Sequence, residues 1–89
     1  MTDFNDIAKD LGIKKQGQLN DNTYTIIFAD SNEYAQVYTI LDNSDDLELV
    51  DENSFISDSI CTLVYEANDY NVELVGNFDE DKYYVQFKN

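Results

Sequence analysis

Seven carboxylates and no basic residue occupy the stretch DNSDDLELVDENSFISD: Asp42, Asp45, Asp46, Glu48, Asp51, Glu52 and Asp58. Side chains of this type and density can do three kinds of chemistry. A close pair can share a proton and work as general acid and base. Several can converge on a hard cation. A larger set can present one continuous negative field to a cationic partner.

Acid–base catalysis needs one carboxyl set apart from the others, and nothing in the chain does so. Histidine, the commonest general base, is absent, and three glycines among 89 residues form no phosphate-cradling loop. No catalytic residue and no cofactor is expected, and the chain reads as a non-enzyme. The cation reading fails on spacing. If Asp42 opens a calcium loop, then Asp42, Ser44, Asp46 and Glu48 take its first four odd positions. The turn glycine is then replaced by Leu47 and the bidentate glutamate by Asn53. A weak divalent site is the most that pattern allows, and no metal ligand is assigned.

The field itself remains. The chain holds 19 acids against five lysines, a net charge of −14, and no lysine falls between Gln16 and Asp81. A surface of one sign repels itself and opposes the compact state, so a basic partner is the simplest reason for it. Carboxylates two residues apart on a strand lie on one face roughly 6.6–6.8 Å apart, comparable with the spacing of charge along a nucleic-acid backbone. Asp46 and Glu48 have that spacing, as do Asp79 and Asp81 around Glu80, although the second pair falls in turn-forming sequence. Asp30 and Glu33 extend the array. Exposed ion pairs contribute little individually, so tight binding also needs anchors that become buried, and Tyr34 and Tyr38 are the candidates. Arginine is absent and the lysines are few and near the termini, which argues against nucleic acid or anionic membrane as a direct ligand.

In net charge, length and a surface of tyrosines among acids, the chain resembles the small acidic DNA-mimic proteins of phages and mobile elements, including anti-CRISPR and anti-restriction inhibitors. No sequence motif carries the resemblance. It implies a protein that occupies the nucleic-acid channel of a basic DNA- or RNA-handling partner, a nuclease or its effector complex. Two alternatives share the electrostatics: an immunity-type protein neutralising a basic toxin, and the weak cation-binding domain already described.

The elements that must position these residues follow from periodicity. Phe4, Ile7, Ala8 and Leu11 recur at helical spacing, so residues 2–11 read as an amphipathic helix capped by Thr2 or Asp3 and ended at Gly12. Residues 14–22 read as a polar connection. Thr23–Ala29 is rich in β-branched and aromatic residues and reads as a strand. Glu33–Leu41 fits two templates: Tyr34, Val37, Tyr38 and Leu41 have helical spacing, yet apolar and polar residues also alternate. Its Tyr, Val, Thr and Ile content favours the strand, making 23–41 a hairpin.

Leu47–Val50 reads as a short strand with Leu47 and Leu49 inward. Phe55 and Ile56 are expected to pin the next loop to the core, with a possible helical turn over residues 53–58. Residues 59–67, 70–75 and 82–88 read as three strands joined by short turns, hence antiparallel. The expected fold is α+β: a single domain over residues 1–89, an antiparallel meander of about five strands, and one N-terminal helix packed on a face. The lone Cys61, in an apolar run, suits a buried inert thiol. The N-terminus lacks the pattern of a signal peptide and no run is long enough to span a membrane, so a cytoplasmic location is expected.

Overall fold

Tyr83, Val85 and Phe87 alternate with polar neighbours in the last strand, and the sheet is built around that alternation. The computed structural model describes residues 4–50 and 54–88. Its elements are α1 (Phe4–Leu11), β1 (Gln18–Asn20), β2 (Thr23–Phe28), α2 (Ser31–Asp42), β3 (Glu48–Leu49), β4 (Phe55–Ile56), β5 (Ile60–Glu66), β6 (Asn71–Asn77) and β7 (Lys82–Lys88). All pairings are antiparallel and the strand order is β1-β2-β7-β6-β5-β3, with β4 also on the outer edge of β5. The last strand in the chain is thus inserted between β2 and β6. Directly paired residues share a face. Tyr24–Phe87–Val72–Tyr65 and Ile26–Val85–Leu74–Leu63 form two buried rows under the helices.

The α+β class and the antiparallel sheet agree with the sequence reading, but the element count differs. Among the described residues there are seven strands and two helices. The strands not expected, β1 and β4, have three and two residues, and β3, within the short strand read at 47–50, has two. The larger correction is α2. Residues 33–41 are helical, and the expected 23–41 hairpin does not form. Asp30 caps the helix, its carboxylate accepting from the Glu33 N–H at 3.0 Å. Glu33 reaches back to accept from the Ala29 N–H at 2.6 Å and pairs with Lys15 at 3.2 Å. The backbone donor, then Lys15, holds the Glu33 carboxyl below its ordinary value. Its stabilising effect is therefore present above the usual glutamate range and lost as pH falls through the lowered value. Asp30→Ala should cost about 1 kcal/mol, read as a lower urea midpoint at an unchanged denaturant slope.

Helix α1 ends as expected. Gly12 has φ +103°, its N–H donates to the Lys9 carbonyl at 3.0 Å, and the Ile13 N–H donates to the Ala8 carbonyl at 2.9 Å. This is the Schellman arrangement, which needs a left-handed residue. Phe4 packs on Phe87 with ring centroids 6.0 Å apart, which seats α1 on the sheet. The proposed caps Thr2 and Asp3 lie outside the described residues.

The edge beside β5 brings four further corrections. Residues 54–58 form no helical turn: Phe55 and Ile56 pair with Thr62 and Cys61. Both are largely exposed, at 60% and 71%, so they do not pin a loop to the core. Leu47 packs against the core, but Leu49 is exposed. Cys61 is half-buried, packed against the core. A single hydroxyl bridges the two pairings of this edge, because Ser54 Oγ accepts from the Val64 N–H at 3.1 Å and donates to the Val50 carbonyl at 2.8 Å.

Candidate functional site

Register decides which acids share a neighbourhood. The row closing one end of the sheet reads Glu48–Glu66–Asn71–Lys88–Thr23–Asn20. Asp69 lies in the turn between β5 and β6 at this same end, and α2 delivers Asp42 there. Asp42 is close enough to act on the Tyr65 phenol, and Asp46 on that of Tyr70. Asp45 and Asp46 occupy the exposed turn before β3, not a strand, so the expected two-residue strand spacing of Asp46 and Glu48 does not occur. This end therefore gathers Asp42, Asp45, Asp46 and Glu48, as the sequence suggested. It adds Glu66 and Asp69, which spacing along the chain did not flag.

Asp58 belongs elsewhere. Both short edge strands run antiparallel to β5, so the acidic stretch is drawn along the whole length of that strand and its two ends separate. Asp58 sits at the opposite end of the sheet, where Phe78 N–H donates to the Ser59 carbonyl at 2.8 Å. Asp79, Glu80 and Asp81 lie in the β6–β7 turn at that end, with Asp30 near enough to act on Tyr83 together with Asp81. Asp51 and Glu52 lie outside the described residues.

The two ends differ in how their acids are held. In the β6–β7 turn Asp81 has φ +54° and accepts from the Tyr83 hydroxyl at 3.2 Å. Glu80 approaches Lys82 at 3.7 Å and its N–H donates to Asn77 Oδ1 at 3.2 Å. These carboxylates serve the turn. At the other end the one cation of the closing row, Lys88, is engaged with Glu73 at 3.3 Å. Among the described residues, the ion pairs involve Glu33, Glu80 and Glu73, and no cation pairs with Asp42, Asp45, Asp46, Glu48, Glu66 or Asp69.

The two tyrosines proposed as anchors part company on α2. Tyr38 is 42% exposed and remains available. Tyr34 is buried, packed edge-on to Phe78 at 5.8 Å and against Tyr83 at 5.7 Å. It is a core residue. Its hydroxyl faces the Cys61 thiol without a well-formed hydrogen bond, and the buried Tyr65 hydroxyl also has no partner among the described residues. Burial, then the approach of Asp42, pushes the Tyr65 phenol up to about 12, and burial above all raises Tyr34 as well.

Folded pKa values above the ordinary tyrosine value of 10 mean that the unfolded chain loses these protons first. Stability should hold up to about pH 10 and then fall as pH rises towards the folded values, with Tyr65 alone accounting for roughly 2–3 kcal/mol of the loss. Denaturant titrations between pH 8 and pH 12, with tyrosinate absorbance followed in parallel, read this directly. Ionisation of all seven tyrosines in the still-folded protein would contradict it.

Two grooves lie on the helical side. One of about 560 Å³ separates α1 from the C-terminal half of α2, with Ile7, Leu11 and Ile40 on its walls and Asp10, Asp46 and Tyr70 beside them. A second, of about 520 Å³, lies between Ile13–Lys15 and α2. Among the described residues no three Cys, Asp or Glu side chains are grouped to hold a metal ion, and no helix is long and apolar enough to cross a membrane. No family model, curated protein or solved structure matches the chain.

Proposed function

We propose that this protein is an acidic nucleic-acid mimic that binds and inhibits a basic DNA- or RNA-handling protein, such as a CRISPR or restriction nuclease. The observation that carries the reading is Glu48 placed directly opposite Glu66 on antiparallel strands, neither of them paired with a cation among the described residues. Like charges in that position oppose strand pairing, their Cβ atoms about 4.5–5.5 Å apart. Asp42, Asp45, Asp46 and Asp69 deepen the same field. An arrangement that works against folding has its use in binding, and a groove of lysines and arginines built for phosphates is attracted by it over long range.

The immobilised protein, exposed to a bacterial lysate at low salt, should retain a basic nucleic-acid enzyme that is released by added salt and competed off by duplex DNA or RNA. A captured toxin indifferent to nucleic acid would replace this reading with the immunity-type one. Retention unaffected by salt would remove the electrostatic basis of both.

A further inference from the structure

Both helices cover one face of the sheet, and the described residues leave the other face open. Its central row reads Phe55–Thr62–Val75–Tyr84–Ile27 across five strands, each residue paired directly with the next. At about 4.8 Å per strand the row is roughly 19 Å long. Its two terminal side chains are the most uncovered, Ile27 at 68% and Phe55 at 60%, and Ile60 adjoins it at 36%. Val75 is buried to 9% yet stands apart from the main core cluster, because it is covered from within this second, smaller apolar surface. Exposed aliphatic and aromatic residues scattered singly need no explanation; here half-buried Thr62 and Tyr84 and buried Val75 join the two exposed ends into one row, as a contact surface requires.

We infer that this open face is the docking surface of the protein, and that its occupant is a basic protein presenting apolar side chains between lysines or arginines. The inference rests on the reading above for the sign of the partner and adds the place where binding energy resides. Charge complementarity selects the occupant. The apolar row runs midway between two acidic ends, one carrying Glu48, Glu66 and Asp69, the other Asp58, Asp79, Glu80 and Asp81. The lysines on this face, Lys82 and Lys88, are already engaged by Glu80 and Glu73. A second copy laid face to face would set acidic end against acidic end in either orientation. Nucleic acid and anionic membrane are repelled for the same reason. A basic protein gains at both ends and can bury the row between them, which gives an apolar centre within a charged rim.

Two peptides of equal positive charge provide a test that does not depend on identifying the natural partner, one alternating lysine with leucine, the other lysine with serine. The alternating lysine–leucine peptide should bind at least about tenfold more tightly, since it alone offers anchors for the row. It should shift amide resonances of β2 and β5–β7 in a labelled sample. The double variant Ile27→Thr with Phe55→Thr, both side chains exposed, should erase the difference, while Leu19→Ser, an exposed side chain that shares the helix-covered face with Tyr24, should leave it unchanged. Equal affinities for the two peptides would overturn the inference, as would shifts confined to α1 and α2 or an unaffected double variant. Sedimentation in high salt, where repulsion is screened, should give a monomer; a dimer abolished by the double variant would assign the face to a second copy instead. None of these measurements involves nucleic-acid competition. Failure of the mimic reading and failure of this surface are therefore distinguishable.

Discussion

Changing Asp45, Asp46 and Glu48 together to lysine is expected to abolish inhibition of the basic partner, through slower association, while the fold survives. All three side chains are exposed. Each substitution alters the charge by two units, so the net charge moves from −14 to −8, and the change is concentrated at one end of the sheet. Electrostatic steering raises association rates by about 10–10³-fold, so a loss of about a hundredfold at low salt is the expected scale. The fold should be indifferent or slightly favoured, since a lysine at position 48 would face Glu66 across the strands and relieve a like-charge pair.

Single Asp→Asn changes should lose only a few-fold each, because the field is shared. Stopped-flow association at two ionic strengths, with thermal melting as the control, separates the effects. A triple variant that associates at the parental rate would pass the role to Asp58, Asp79 and Glu80 at the other end. Those acids are partly occupied already, which makes them the second choice.

Tyr34→Ala should cost about 3–5 kcal/mol, the scale for emptying a large aromatic site in a core. In a domain of this size that lowers the melting temperature by about 15–30 °C. The ring is held on several sides. It packs on Phe78 and Tyr83, and Gly76 in β6 lacks a side chain where the ring lies: a Cβ there would come within 2.8 Å of Tyr34 Cε2. Gly76→Ala should therefore also destabilise, by about 1–3 kcal/mol from overpacking.

Tyr34→Phe should behave in the opposite way. Among the described residues the buried hydroxyl has no well-formed hydrogen bond, only its approach to the Cys61 thiol, so its removal mainly deletes a desolvation cost. A neutral or raised melting temperature is expected, with partner binding unchanged. Weakened binding with unchanged stability in Tyr34→Phe would restore this residue as a contact anchor.

Much of the fold was legible in the chain because it rests on local periodicity. Tyr83, Val85 and Phe87 alternate with polar residues, and short turns leave β5, β6 and β7 no choice but to pair antiparallel. The helix at residues 31–42 was legible as well, but in a different signal from the one weighed. Strand-favouring composition in its body competed with a capping pattern at its start: Asp30 followed three residues later by Glu33, with Asp30 accepting from the Glu33 N–H of the first turn and Glu33 reaching back to the Ala29 N–H just before the cap. Capping geometry and burial of Tyr34, Val37 and Leu41 outweighed β-propensity, which is a weak preference that packing overrides.

The sign of the surface and its scarcity of compensating cations were determined by sequence alone, since they are properties of composition. Which acids stand together was decided only by tertiary structure. Strand pairing is non-local: β5 joins Glu66 to Glu48 across 18 positions, and the same edge carries Asp58 to the far end from its sequence neighbours. The open apolar face was hidden for a related reason. Ile27 and Phe55 look like core residues in the chain, and only the placement of both helices on one side of the sheet leaves them facing water.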